Sequence, residues 1–250
     1  METYQKLCTE FYDLDKPHVP GDALEFYMHY AAKAEGLILE PMCGSGRFLI
    51  PMLEQGYAVE GLDSSLHMLK ACMKKCAEKK LEPILYSQFV SDMSLDKQYS
   101  LIFIPSGSFG LITDVKVAQQ CLKIFYDHLL PNGKLVIEIE TLHAVPKHLG
   151  IWHGKLVDKP DGSKILLNSL PIYDPTSQIL RTLQRYELID GNAVIQSEIE
   201  DFKLRLFQHE ELDNWLEDAG FKDKDITHFK AYGLGQPGDQ DEVVIYECIK

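Results

Sequence analysis

The sequence has no uninterrupted apolar run approaching the 18 or so residues a membrane-spanning helix needs, so no such helix is expected. No basic stretch followed by an apolar run opens the chain, so no export signal is read there. No CxxC pair occurs. The six cysteines (Cys8, Cys43, Cys72, Cys76, Cys121 and Cys248) fall mostly inside expected core segments, which favours reduced thiols, a cytoplasmic setting and no disulfide scaffold. Cys72 and Cys76 share a helical face but have no Cys/His pair nearby to complete a ligand set, so no metal is expected. Basic residues are scarce: 25 Lys and Arg stand against 38 Asp and Glu, a formal charge of −13. Such a surface repels a phosphate backbone unless basic residues concentrate on one patch. The clusters present, Lys74-Lys75 and Lys79-Lys80, read as the solvated side of a helix. Nucleic acid and membrane are therefore not expected partners.

What is present is the rhythm of an α/β protein. In residues 1–36, Tyr4, Leu7, Phe11 and Tyr12 and then Ala23, Phe26, Tyr27 and Tyr30 repeat at helical spacing on either side of a turn at Pro17–Gly21. From 37 to 140, strands alternate with helices. Strands are expected at Leu37–Leu39, Tyr57–Leu62, Ile84–Val90, Leu101–Ile104 and Lys134–Glu140. Between them lie a short helix closing at Gly56, one marked by Leu66, Leu69, Met73 and Cys76 behind a Ser64 or Ser65 cap, and one marked by Val115, Ala118, Leu122, Phe125 and Leu129. Residues 141–206 break the rhythm with two or three long strands and a hairpin turn at Asp190-Gly191-Asn192. Residues 207–250 return to the main sheet through a helix with Leu212, Trp215 and Leu216 inward, Gly220 as its stop, and strands at Phe221–Ala231 and Val243–Ile249. The fold class is α/β: a Rossmann-like seven-stranded, mostly parallel sheet, its last strand antiparallel, with an antiparallel β insertion.

The informative segment is LILEPMCGSGRF, residues 37–48. A buried strand runs into Glu40, then into a glycine turn at Gly44 and Gly46, then into a helix. In an open α/β sheet this first turn, at the carboxyl ends of the strands, is where nucleotides bind. Asp63 closes the second strand 17 residues after Gly46, where a carboxylate can accept both ribose hydroxyls; its bland alternative is a cap on the next helix. NAD and S-adenosylmethionine (SAM) share that layout. A dinucleotide turn needs a small third residue under the pyrophosphate, and this chain has Leu49 there. Glu40 would repel a pyrophosphate but suits an ammonium. Asp92, in FVSDMS after the third strand, can accept from an adenine amino group, with Met93 against the ring.

Together the segment Glu40–Arg47, Asp63 and Asp92 resemble the cofactor half of the class I SAM-dependent methyltransferases. FIPSGSFGLI (103–112) matches the strand-four region that lines the methionine moiety, LPNGKLVIEI (130–139) the turn into strand five, and EELDNWLEDAGF the helix before the last hairpin. The resemblance implies SAM as cofactor, held by Glu40, Met42, Cys43, Gly44, Gly46, Arg47, Asp63, Ser64, Asp92, Met93, Pro105 and Ser108. One departure is Met42, where many members have glycine.

The acceptor half follows no motif. Pro105-Ser106-Gly107-Ser108 is not the Asn/Asp-Pro-Pro-aromatic sequence of adenine or amide methylation, and no Pro-Cys nucleophile for cytosine is found. The reading is therefore methyl transfer to O, N or C of a small molecule. Candidates for a base or positioning group are His143, His148, His153 and Tyr12, with Tyr4 reaching over the cofactor; Glu138 and Glu140 read equally well as strand-end solvent groups. The 141–206 insertion, with Tyr173, Tyr186, Phe202 and Phe207, is expected to form a substrate lid, or else a surface for homodimer pairing. The rivals are a SAM-binding sensor or partner without turnover, and an NAD-dependent oxidoreductase, which Leu49 and Glu40 oppose.

Overall fold

A computed structural model describes residues 4–208, 210–233 and 235–250. Helices α1 (Lys6–Asp15) and α2 (Gly21–Ala31) precede the alternating region β1 (Ile38–Pro41), α3 (Leu49–Glu54), β2 (Val59–Asp63), α4 (Leu66–Glu78), β3 (Ile84–Ser87), β4 (Tyr99–Ile104), α5 (Val115–His128) and β5 (Leu129–Glu140). Four strands follow, β6 (His153–Asp158), β7 (Lys164–Asp174), β8 (Ile179–Asp190) and β9 (Ala193–Arg205), and then α6 (Glu211–Ala219), β10 (Ile226–Lys230) and β11 (Val243–Ile249). The main sheet has seven strands in the order β10-β11-β5-β4-β1-β2-β3. All its pairings are parallel except those of β11, which runs antiparallel to both β5 and β10.

Strand pleating splits the core in two. Leu39, Ile102, Ile104, Leu135 and Ile137 face α5 and α6, while Ile38, Leu101, Phe103 and Val136 face α2, α3 and the Cys72–Cys76 side of α4. With both faces covered, the central strands are mostly apolar, and β1 is buried at all four positions, Glu40 included. Among the described residues no helix is long and apolar enough to cross a membrane.

Several expectations need correction. The third strand stops at Ser87, and Val90–Asp92 forms a 3-10 turn instead. In α4 the inward residues are Met68, Leu69, Cys72 and Cys76, whereas Leu66 and Met73 are exposed. The insertion has four strands, not two or three, because the mostly exposed His153–Asp158 pairs along β7. Phe221 packs into the core ahead of a strand that starts only at Ile226. Phe207 leaves the insertion altogether: it is buried in the main core and stacked on Phe109.

The insertion forms its own antiparallel sheet, β6-β7-β8-β9. Helix α1 lies between this sheet and α4: Leu7, Cys8 and Phe11 pack on Ile165 and Tyr186. A helix leaves its first N–H groups unpaired, and α1 has no side-chain cap from its own N-cap residue Gln5. Strand β9 provides the acceptors. Glu200 accepts from the Tyr4 and Gln5 N–H groups at 3.0 and 2.7 Å, and Glu198 from the Leu7 N–H at 2.6 Å. Negative charge there also complements the helix dipole. Replacing Glu200 by Ala should cost about 1–3 kcal/mol in urea denaturation, with faster hydrogen exchange at the Tyr4 and Gln5 amides. Unchanged exchange there would show that the long-range cap contributes nothing.

Candidate active site

At the carboxyl end of β1 the chain turns sharply. Met42, Gly44 and Gly46 all take left-handed backbone angles, φ 60°, 55° and 82°. At Gly46 a side chain is also excluded by space, since a Cβ would lie 2.5 Å from Cys72 Sγ on α4. Met42, the departure from glycine noted in the sequence, therefore holds a strained conformation for a side-chain-bearing residue. The turn borders a cavity of about 280 Å³.

Two carboxylates enter this cavity from adjacent strand ends. Asp63 accepts from the Gly44 N–H through Oδ2 and the Ser65 N–H through Oδ1, both at 2.8 Å. Those bonds fix its plane and leave each oxygen a second lone pair for a ligand. Burial raises its pKa, and the backbone N–H bonds work against that rise. Glu40 is 2% exposed, and its Oε2 has no hydrogen-bond partner. Burial pushes its carboxyl well above the usual range, opposed by the nearby Arg47 charge and a bond from the Leu49 N–H. Arg47 donates to Ser106 Oγ at 2.8 Å and lies against the Tyr12 and Phe48 rings, yet its buried Nε is also unpaired. Unpaired buried groups of opposite sign in one cavity suit a ligand that carries both signs itself.

Of the residues singled out in the sequence, Glu40, Met42, Cys43, Gly44, Arg47, Asp63, Ser64, Pro105 and Ser108 border the cavity. Gly46 sits behind the turn against α4. Asp92 and Met93 do not border it, because the 3-10 turn leaves Asp92 exposed and buries Met93 in the core. Gln88, Phe89, Val90 and Ser91 line the cavity in their place. Phe89 is 63% exposed, an aromatic at a cavity rim that the sequence reading passed over. His143, His148 and His153 are exposed and border neither this cavity nor its neighbour. Glu138 is no solvent group: it is buried and accepts from Tyr27 Oη at 3.1 Å.

The neighbouring cavity, about 330 Å³, lies under α1 and the inner face of the insertion sheet, which contributes Leu167, Gln184, Tyr186, Phe202 and Leu204. Tyr4, Tyr12, Arg47, Ser106, Ser108 and Leu111 border both cavities. Asp13 ties α1 to the glycine turn and to α4, accepting from Ser45 Oγ at 2.5 Å and Lys75 Nζ at 2.9 Å.

Residues 38–133, the strands and turns that build the first cavity, match a family model described as Methyltransferase domain. Residues 38–133 therefore carry a methyltransferase domain. A Bacillus subtilis (strain 168) protein that bears the name "Putative methyltransferase YqeM" is 24% identical over 243 residues, 96% of this chain and 94% of that one. A Streptomyces fradiae enzyme named dTDP-3-amino-3,6-dideoxy-alpha-D-glucopyranose N,N-dimethyltransferase is 26% identical over 142 residues, 54% of each chain. Among solved structures, a SAM-dependent methyltransferase from Clostridium acetobutylicum ATCC 824 shares the fold at a TM-score of 0.78, 16% identity and 99% coverage of both chains. The sugar N-methyltransferase KedS8 of Streptoalloteichus sp ATCC 53650 does so at 0.73 and 19%, covering 95% of this chain and 91% of that one.

A buried carboxyl whose folded pKa stands above its unfolded value loses stability as pH rises through the ordinary carboxylate range, because the folded state there holds the extra proton. Glu40→Gln should therefore leave the ligand-free methyltransferase as stable as the parent at low pH and about 1–3 kcal/mol more stable at neutral pH. Urea denaturation at two pH values checks this. A variant less stable than the parent at neutral pH would mean that Glu40 has a stabilising partner.

Proposed function

We propose that this methyltransferase binds SAM in the first cavity and methylates a small molecule held in the second. The observation that carries the reading is the unpaired, buried Glu40 carboxylate oxygen at the glycine turn, with Asp63 on the adjacent strand. SAM supplies a methyl group made electrophilic by its sulfonium. In this reading Asp63 accepts the two ribose hydroxyls, Glu40 takes the ammonium and Arg47 the carboxylate of the methionine end. Cys43, Gly44 and Ser64 press backbone against the ligand, and Met42, Pro105 and Ser108 enclose its methionine end. Phe89 offers a ring face to the adenine, and Gln88 and Ser91 offer polar groups at its edge, the part first given to Asp92 and Met93.

The six residues bordering both cavities mark where the acceptor meets the methyl. Acceleration there comes mainly from alignment and exclusion of water. We assign 1–36 and 141–206 to covering the acceptor, and 37–140 with 207–250 to holding SAM. The inner face of the insertion sheet borders the acceptor cavity, which supports a lid over a surface given wholly to pairing. The named activity of the Streptomyces fradiae relative on an amino sugar supports an acceptor of sugar size. Six buried free cysteines support a reducing compartment such as the cytoplasm.

Calorimetry should show one site per chain for SAM and S-adenosylhomocysteine (SAH) and none for NAD. Release of SAH in a metabolite screen should separate turnover from binding alone. Binding of NAD without SAM would overturn the reading. Asp63→Ala should weaken SAM binding by at least about 100-fold, since two charge-assisted hydrogen bonds of about 1.5–3 kcal/mol each are lost. Asp92→Ala should leave it within about threefold. Equal losses at the two positions would show Asp63 to be a helix-capping residue only.

A further inference from the structure

The second cavity contains a carboxylate to which the reading above gives no work. Glu140 ends β5, borders only this cavity, and is partly buried. Its side chain has no hydrogen-bond or ion-pair partner among the described residues. The other charged groups of the cavity have other surroundings. Asp15 is paired with Lys155, Arg47 is engaged with Ser106 and Tyr12, and Lys16 is exposed, with its ammonium over the Tyr12 ring and within electrostatic reach of Glu140 but not paired with it. Glu140 therefore presents a negative charge inside a largely aromatic and aliphatic chamber.

Its position is set by a close approach. Ser106 and Gly107 both take left-handed angles, φ 59° and 65°. A Cβ on Gly107 would lie 3.1 Å from Glu140 Cγ and 3.2 Å from its Oε1, tighter than ordinary contact. Glycine at this position lets the carboxylate lie close on the Ser106–Ser108 loop, whose two serines border both cavities. The carboxylate is thus held beside the passage through which a methyl group must move.

We infer that the acceptor is an amine, bound as its ammonium by Glu140, which also takes the proton that must leave before nitrogen can react. This rests on the methyltransferase reading and adds the target atom and the catalytic residue. An ammonium nitrogen has no free electron pair. Glu140 carboxylate accepts one proton and the neutral amine results. The amine nitrogen then forms the new N–C bond while the C–S bond breaks and its electron pair stays on sulfur. The products are SAH, an N-methylammonium and a proton that Glu140 returns to solvent. Burial raises the Glu140 carboxyl above the ordinary range, opposed by Lys16 and reinforced by Glu242, which moves its basicity toward that of an amine. Tyr4, Phe11, Tyr12, Tyr186 and Phe202 supply ring surfaces that also favour a cation. A hydroxyl acceptor would leave the Glu140 charge facing only the more distant ammonium of Lys16, with which it makes no ion pair.

Matched probes test this in protein saturated with SAH: cyclohexylamine against cyclohexanol, phenethylamine against phenethyl alcohol, and 3-amino-3-deoxyglucose against glucose, each titrated calorimetrically. In at least one pair the amine should bind about tenfold or more tighter than the alcohol, and Glu140→Gln should abolish that preference while SAH affinity stays unchanged. No amine preference in any pair overturns the inference, as does a preference that survives in Glu140→Gln. Loss of SAH binding by the parent protein overturns instead the methyltransferase reading on which the inference rests.

Discussion

A carboxylate on the insertion sheet closes the N-terminus of a helix nearly two hundred residues earlier, and both cavities depend on it. Helix α1 has ten residues, too few to persist alone in water, and no local cap. Glu200 and Glu198 provide the missing acceptors at its first turn, and Asp13 fastens its other end to Ser45 of the glycine turn and to Lys75 of α4. The helix thereby brings Tyr4 and Tyr12 over the junction between the cavities. Ser65 Oγ, which caps α4, also donates to the Tyr4 carbonyl at 2.8 Å, so the end of the cofactor strand and the start of the roof share one residue. The insertion is joined in this way to a turn that lies on a different sheet.

Most of the main sheet was legible because its signals are local. Apolar runs such as Leu101–Ile104 and the glycine turn at Gly44 and Gly46 each imply their own geometry. Misreadings arose where geometry depends on a partner. β6 carries mostly exposed residues with no alternation to see, and it is a strand only because β7 offers it an edge. Leu66 and Met73 match helical spacing as well as Met68 and Cys72 do, and only the placement of α4 against α3 and β2 decides which pair turns inward.

The candidate site divides in the same way. Glu40 and Asp63 sit at the ends of central strands, so their position follows from strand order. Asp92 follows an edge strand that ends early, and a 3-10 turn then rotates the chain so that Ser91 rather than Asp92 borders the cavity. The histidines after β5 were plausible by chain distance alone. The chain leaves β5 through a 3-10 turn at Leu142–Ala144 that keeps His143 in solvent, and β6 holds His153 on the outer edge of the insertion. Glu140, left in the sequence as an ambiguous strand end, acquires its setting from Gly107, whose neighbourhood no local pattern discloses.

The distribution of acids has a consequence for catalysis. Transfer of a methyl from a sulfonium destroys a positive charge at sulfur, so a carboxylate beside that sulfur would stabilise the reactant more than the transition state and slow the reaction. The residues bordering both cavities are two tyrosines, two serines, a leucine and Arg47, with no acid among them. Glu138, the buried acid nearest this loop in sequence register, is occupied by Tyr27 Oη and the Ser106 N–H, and so steadies the loop. On the proposed reading, Glu40 holds the cofactor's ammonium and Asp63 its ribose hydroxyls, while Glu140 holds the acceptor ammonium and takes its proton before the methyl moves. The binding energy is then gathered at atoms whose charge the methyl transfer leaves alone or increases, and the neutral sulfide that remains has no carboxylate contact to lose on departure.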